Sequence, residues 1–163
     1  MVTMTSSRKA VLTLPTDTEI KIVREFAAPA RLVWKAWTTP ELIKRWWHAK
    51  RGEVTSAEVD LRVGGKWRWV LVTTDGGYEV AFHGEYRDII PHERLVYTEV
   101  FEGAPDGEAL NSTDLVEKNG RTTVTMRMQL KSREERDAIL ATGMEAGMQD
   151  ALDLLEEVAT SLA

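Results

Sequence analysis

Turn-forming residues divide the middle of the chain, residues 53–131, at regular intervals. Between them apolar and polar residues alternate, which is the pattern of half-buried β-strands. Consecutive strands joined by tight turns predict an antiparallel meander, and Asn-Gly is the strongest of the hairpin signals. The turn formers are Gly64-Gly65, Asp75-Gly76-Gly77, Pro91-His92, Pro105-Asp106-Gly107 and Asn119-Gly120.

The same alternation predicts seven strands in the whole chain. The first strand precedes two short helices, and the other six strands follow them. The predicted strands span residues 18–26, 54–62, 66–74, 77–90, 94–102, 110–118 and 121–131.

Two short amphipathic helices are predicted after the first strand. Pro29 and Pro40 suit the first helical position, where a missing N–H costs no hydrogen bond, and Thr39 is a candidate cap for the second helix. In each helix the apolar residues recur at a spacing that places them in one stripe. These residues are Leu32, Val33, Ala36 and Trp37, then Leu42, Ile43, Trp46 and Trp47.

The C-terminal part predicts one long helix of about 29 residues, or about 43 Å at the helical rise. Ser132 to Glu135 form a capping box at its start. Gly143 and Gly147 lie near the apolar stripe, where glycine allows either a close approach to the sheet or room for a ligand. The stripe comprises Leu140, Met144, Met148, Ala151, Leu155, Val158 and Leu162.

This order of elements predicts an α+β fold in one domain, residues 16–163, after a loose tail at residues 1–15. A seven-stranded antiparallel sheet has one face to cover, and the long helix supplies the matching apolar stripe. A large sheet curves, and one helix cannot fill its whole concave side. An internal cavity between sheet and helix follows, with the two short helices available to close it.

Composition excludes several classes of function. The net charge of −5 argues against a nucleic-acid partner, because such proteins usually carry a basic excess. No apolar run approaches the length of a membrane span, so membrane insertion is not expected. The chain has no cysteine, which excludes thiolate chemistry and makes a cytoplasmic location the default expectation. Homodimers are common among small domains, so a homodimer is a further expectation.

Four segments resemble a known bacterial family. They are "REFAAPARLVWKAWTTPELIKRWW", "VDLRVGGKWRW", "FHGEYRDIIPHERLVYTE" and "TGMEAGMQDALDLLEEV". Together they are similar to the family named after the activator of the heat-shock-protein-90 ATPase, within the START-like, birch-pollen-allergen-like superfamily (SRPBCC). The resemblance covers about residues 18–162 and implies a helix-grip fold, in which a seven-stranded sheet wraps around a C-terminal helix and an apolar cavity. The family commonly has Gly-Pro directly after the paired tryptophans, where this chain has His48-Ala49.

Strand alternation predicts a set of inward-facing aromatic and methionine side chains. Such side chains suit an adaptable apolar pocket, although ordinary core packing is the alternative for any one of them. The predicted ligand-binding residues are Trp46, Trp67, Trp69, Phe82, Tyr86, Tyr97, Met126, Met128, Met144 and Met148.

Few polar residues are candidates for catalysis. Glu99 shares the predicted inward face with Tyr97, and a carboxylate in an apolar cavity would have a raised pKa suited to acid–base chemistry. The alternatives are that Glu99 reaches water at the strand end, and that Tyr97 and Tyr86 simply satisfy backbone groups. His48, His83 and His92 have no metal-ligand spacing, so neither a metal nor a cofactor is expected.

The leading hypothesis is a protein that holds a hydrophobic small molecule, such as a lipid, an aromatic or a polyketide-like compound. An enzyme of the cyclase or hydrolase sort would use the same cavity, and a chaperone cofactor is suggested by the family name alone. The pair Trp46-Trp47 would then be the edge of a lid, and the basic residues around it a solvated rim. Those basic residues are Lys44, Arg45, Lys50 and Arg51.

Overall fold

The computed structural model describes residues 9–163, which form an α+β fold with a curved antiparallel sheet. The strands are β1 (Val11–Thr13), β2 (Glu19–Phe26), β3 (Gly52–Val59), β4 (Lys66–Thr73), β5 (Glu79–Ile90), β6 (Arg94–Phe101), β7 (Glu108–Lys118) and β8 (Arg121–Gln129). The helices are α1 (Ala30–Thr38), α2 (Pro40–Ile43), α3 (Arg133–Ala141) and α4 (Met144–Ser161). None of these helices is long and apolar enough to cross a membrane.

The sheet has the strand order β1-β2-β8-β7-β6-β5-β4-β3, so β3 to β8 form the predicted meander. The predicted helix-grip fold is confirmed, but the strand count was low by one. The additional strand is β1, which pairs with β2 through Val11 and Val23. The prediction of a loose tail over residues 1–15 was therefore wrong for Val11–Thr13, while residues 1–8 lie outside the described residues. Three residues are too few for alternation to reveal a strand.

The predicted single long helix is divided into α3 and α4. Gly143 has a φ of +79°, in the left-handed region, and this interrupts the helix between Ala141 and Met144. The predicted start of the helical region at Ser132 is confirmed, because the hydroxyl of Ser132 accepts a hydrogen bond of 3.1 Å from the backbone N–H of Glu135. The apolar stripe continues across the break, so periodicity alone could not reveal it.

A buried ion cluster fixes α4 on the concave face of the sheet. Arg24 of β2 is 1% exposed, and its guanidinium donates to Asp153 at 2.6 Å and to Glu156 at 3.1 Å. The second oxygen of Glu156 accepts a 2.8 Å hydrogen bond from the backbone N–H of Ala27. A buried charge pair that is also hydrogen-bonded imposes one geometry. The cluster therefore holds α4 against β2.

A tight turn follows α2 at His48 to Arg51. Ala49 and Lys50 adopt positive φ angles of 51° and 62°. The backbone N–H of Lys50 donates to Nδ1 of His48 at 3.0 Å, while Nε2 of His48 lies 3.1 Å from the carbonyl oxygen of Arg45. Because Nδ1 accepts, Nε2 carries the proton and donates. His48 thus stabilises this turn, and it does not line the cavity described below.

Candidate functional site

The space between the concave face of the sheet and the helices contains two adjoining pockets. The α4 pocket has a volume of about 240 Å³ and lies between α4, β2, β8 and the tryptophans of the α2 turn. The α3 pocket has a volume of about 410 Å³ and lies between α3 and strands β4 to β8. Protein interiors are normally packed as densely as organic crystals, so pockets of this size between the sheet and the helices are candidate binding sites.

The two pockets share part of their walls. Four side chains border both pockets, and three of them are apolar. The fourth is the carboxylate of Glu99, which therefore lies at the junction. The shared residues are Trp47, Glu99, Met128 and Met144.

A chain of tryptophan rings forms one side of the cavity. Trp69 is at its centre, with ring centroids of Trp46, Trp47 and Trp67 at 5.9, 5.5 and 5.2 Å. Trp37 extends the chain through Trp46 at 5.6 Å. These edge-to-face contacts are the favoured geometry for aromatic pairs.

The sixth tryptophan, Trp34, lies apart from this chain. Its ring contacts His92 at 6.1 Å, and it lines neither pocket of the described residues. Trp34 therefore does not contribute to the wall of the cavity.

Hydrogen bonds fix two of the cavity tryptophans and leave a third without a partner. Nε1 of Trp46 donates to the carbonyl oxygen of Ala36 at 2.8 Å, and Nε1 of Trp67 donates to that of Thr98 at 3.2 Å. Nε1 of Trp69 is buried and has no hydrogen-bond partner among residues 9–163. A buried donor without a hydrogen-bond partner lowers the stability of the folded protein. A ligand whose acceptor atom reaches Nε1 of Trp69 would therefore gain binding free energy.

Glu99 lies inside the cavity, as its shared face with Tyr97 predicted. Nδ2 of Asn111 donates to its Oε1 at 3.1 Å. Burial raises the pKa of Glu99 from an ordinary 4.5 to about 7, and the hydrogen bond from Asn111 lowers it only in part. The carboxyl group therefore changes charge near neutral pH. A pKa close to the working pH is the property of a general acid or base.

Tyr97 lies beside Glu99 on the same face of β6. Burial raises its pKa to about 12, and the charge of Glu99 adds to this effect, while Thr113 and Asn111 near the hydroxyl oppose it. Its ring contacts those of Trp67 at 5.8 Å and Tyr86 at 6.4 Å. Tyr97 thus stays protonated and offers a hydroxyl to the α4 pocket.

Nine of the ten predicted ligand-binding residues line one or both pockets. Tyr86 is the exception, because it is only 4% exposed and borders neither pocket of the described residues. It packs behind Tyr97, and burial raises its pKa above the ordinary value. Alternation assigned Tyr86 to the correct face but could not give its depth. The nine are Trp46, Trp67, Trp69, Phe82, Tyr97, Met126, Met128, Met144 and Met148.

Asn111 is a site residue that the sequence interpretation missed. It is 6% exposed, pairs in register with Tyr97 on the neighbouring strand and lines the α4 pocket. Its Oδ1 is buried without a hydrogen-bond partner in the described part of the chain. Alternation along β7 from the buried Ala109 to the buried Leu115 would have placed it inward.

The basic residues around the tryptophan pair form an exposed rim. Lys44, Arg45, Lys50 and Arg51 are all exposed, as predicted. Arg51 also bridges to Asp150 of α4 at 2.9 Å and donates to the carbonyl oxygen of Ala49 at 2.6 Å. This ion pair joins the α2 turn to the helix beside the α4 pocket.

The family model for "Activator of Hsp90 ATPase homolog 1-like protein" matches residues 27–160. The chain belongs to this family. The chain is similar to a crystal structure of a protein from Rhodobacter sphaeroides, with a sequence identity of 26% and a TM-score of 0.87. The match covers 95% of this chain and 100% of that chain. A Nitrosomonas europaea crystal structure has 24% identity, coverage of 91% and 98%, and a TM-score of 0.82.

A solution structure of an AHSA1-like protein from Aeromonas hydrophila has 24% identity, coverage of 87% and 93%, and a TM-score of 0.64. No curated protein matches this AHSA1-like chain. These likenesses establish the fold and the family, while the chemistry of the cavity has to be argued from its own residues.

Proposed function

We propose that this protein binds a hydrophobic small molecule, of lipid, aromatic or polyketide-like character, in the cavity between sheet and helices. The observation that carries the proposal is the pair of adjoining, mainly apolar pockets that meet at the Glu99 carboxylate. Ligand pockets typically combine apolar walls with a few converging polar groups. Glu99, Tyr97 and Asn111 supply those groups.

The walls suit a ligand whose shape is not fixed in advance. Four methionines, Met126, Met128, Met144 and Met148, line the pockets. Methionine is unbranched and polarizable, so it adapts to different occupants. Each ligand CH₂ group moved from water into such walls contributes about 0.8 kcal/mol.

The experiment is a titration with the neutral fluorescent dye Nile red, using a variant that fills the α4 pocket. Ala151 of α4 lines that pocket, whereas Ala146 on the same helix is exposed. Wild type and the control Ala146→Phe are expected to bind the dye saturably with equal affinity. Ala151→Phe is expected to weaken binding at least about tenfold, since its ring occupies ligand space.

Two results would contradict the proposal. One is the absence of saturable dye binding by the wild type. The other is equal binding by Ala151→Phe and Ala146→Phe, provided that circular dichroism and urea unfolding show both variants folded.

An enzyme is a second candidate, favoured by the position of Glu99 inside the cavity with a pKa of about 7. In that case Glu99 would move a proton to or from a bound substrate, as a cyclase or hydrolase requires. Conversion of a bound compound by wild type, lost in Glu99→Gln while the compound still binds, would favour the enzyme.

A chaperone cofactor, which the family description suggests, needs a protein-binding surface rather than a cavity, and the pockets support it less. A cytoplasmic location belongs to the leading proposal and rests on the absence of cysteine in the chain.

A further inference from the structure

Glu99 and its hydrogen-bond partner Asn111 form a polar centre where the two pockets meet. Of the other polar residues along the walls, Ser112 and Arg127 border only the α4 pocket, and Thr142 borders only the α3 pocket. Glu99 borders both pockets, with the apolar side chains of Trp47, Met128 and Met144 around it. Beyond this junction, the α4 pocket continues along Ile20, Ile22 and Leu152, and the α3 pocket along Val80, Leu130 and Ile139. An occupant of both pockets would therefore meet apolar walls on either side of one polar centre.

The polar centre contains a buried acceptor that no protein group satisfies. Nδ2 of Asn111 is used by Glu99, and Oδ1 of Asn111 is left without a partner among residues 9–163. Asn111 is 6% exposed and lines the α4 pocket, so an occupant of that pocket lies beside this amide. Leaving such an atom unsatisfied is expensive unless a ligand or water completes it.

A hydroxyl group suits this centre better than a carbonyl or a carboxylate. Glu99 accepts when ionised and can donate when protonated, and the Asn111 amide can present either its oxygen or its NH₂ accordingly. A hydroxyl both donates and accepts, so it can pair in either state, whereas a ketone can only accept. A carboxylate would place a second negative charge beside an ionised Glu99.

We infer that the ligand is an uncharged, mainly apolar molecule with a hydroxyl group near its middle, which hydrogen-bonds to Asn111 and Glu99 while its two apolar arms occupy the α4 and α3 pockets. The inference rests on the proposed function and specifies its ligand class. Met128 and Met144 lie on the shared wall and would adjust their rotamers to let the arms pass.

Matched compounds test the inference at near-neutral pH by calorimetry or by Nile red displacement. Dipentylmethanol has a central hydroxyl, n-undecanol has the same formula with a terminal hydroxyl, and dipentyl ketone lacks the donor. We expect wild type to bind dipentylmethanol at least about tenfold more tightly than either other compound, the factor that corresponds to one unsatisfied buried group.

A double variant shows whether the polar centre causes the preference. Glu99→Leu together with Asn111→Leu replaces both hydrogen-bond partners by apolar groups of similar shape, an exchange that proteins tolerate well. We expect the three compounds to bind this variant within about twofold of one another. Glu53→Gln, which alters an exposed carboxylate on β3, should keep the wild-type preference.

Each outcome decides between the two proposals. Equal affinities in wild type, or a preference for n-undecanol or the ketone, would overturn the central-hydroxyl inference and leave hydrophobic binding intact. Persistence of the preference in the double variant would overturn it as well. If neither Nile red nor any of the three compounds binds wild type, the proposed function itself fails. Should the double variant not fold, the wild-type comparison of alcohol and ketone decides alone.

Discussion

The carboxyl group of Glu99 is removed from water by the same walls that form the cavity. Alternation along β6 was enough to predict its inward orientation, because Leu95, Tyr97 and Glu99 share one face. Its partner Asn111 comes from the neighbouring strand through the register that joins Tyr97 to Asn111. A partner on another strand depends on register, which alternation within one strand does not give.

Replacing Glu99 by glutamine should remove a pH dependence of stability. Burial raises the pKa of Glu99 from 4.5 to about 7 in the folded protein, so the folded state binds this proton more tightly than the unfolded state. The associated stability is complete below about pH 4.5 and is lost as the pH rises through about 7, a change on the order of 3 kcal/mol. The unfolding free energy of Glu99→Gln relative to wild type should therefore increase over this range.

Urea unfolding at about pH 5 and about pH 8 measures this difference. Glu53→Gln is the control, since Glu53 is exposed on the same sheet and its replacement should follow the wild-type curve. Parallel pH curves for Glu99→Gln and wild type would show that Glu99 is solvated in the folded protein.

At the scale of elements, the break between α3 and α4 creates the shape of the cavity. Met144 follows directly after Gly143 and borders both pockets, while Ile139 of α3 borders only the α3 pocket. A straight helix would have continued one stripe along the sheet. The two segments instead line two adjoining pockets.

The two glycines of this region should respond in opposite directions to alanine. Gly143 has a φ of +79° with open space around it, so Gly143→Ala should lower the unfolding free energy by about 1 kcal/mol through backbone strain. Gly147 lies within α4, and a Cβ there would contact only the Arg51 guanidinium, at 3.9 Å. Gly147→Ala should therefore raise the unfolding free energy by about 0.5–1 kcal/mol through helix propensity.

Urea unfolding of both variants at one pH tests this pair, with unchanged m-values as the sign of a simple stability change. Stabilisation by Gly143→Ala would indicate a continuous helix and would contradict the break.

Sequence patterns predicted most elements because turns and alternation are local signals. For example, Asn119 and Gly120 both have positive φ angles in the turn between β7 and β8, as a tight hairpin requires. The strand β1 and the helix break escaped prediction because β1 depends on pairing with β2, and the break lies inside an unbroken apolar stripe. Tyr78 falls within the predicted strand 77–90 but is 71% exposed, because β5 begins only at Glu79.

At the scale of the whole molecule, the Arg24 cluster holds α4 to the curved sheet, and the two adjoining pockets lie between the sheet and the helices. The Arg51–Asp150 pair joins the α2 turn to α4, and Trp46 and Trp47 of this turn line the α4 pocket. The tryptophan pair, surrounded by basic residues in the sequence, thus faces inward. It contributes its rings to a cavity wall and not to a basic surface.

The most direct test of the cavity is an NMR titration that follows isotope-labelled methionine methyl groups as Nile red is added. If the dye enters the cavity, the methyl resonances of Met126, Met128, Met144 and Met148 should shift together and saturably, since all four line the pockets. Ala151→Phe should suppress these shifts, and Ala146→Phe should preserve them. Saturable dye binding that leaves the four methyl resonances unchanged would place the ligand elsewhere and contradict the central claim.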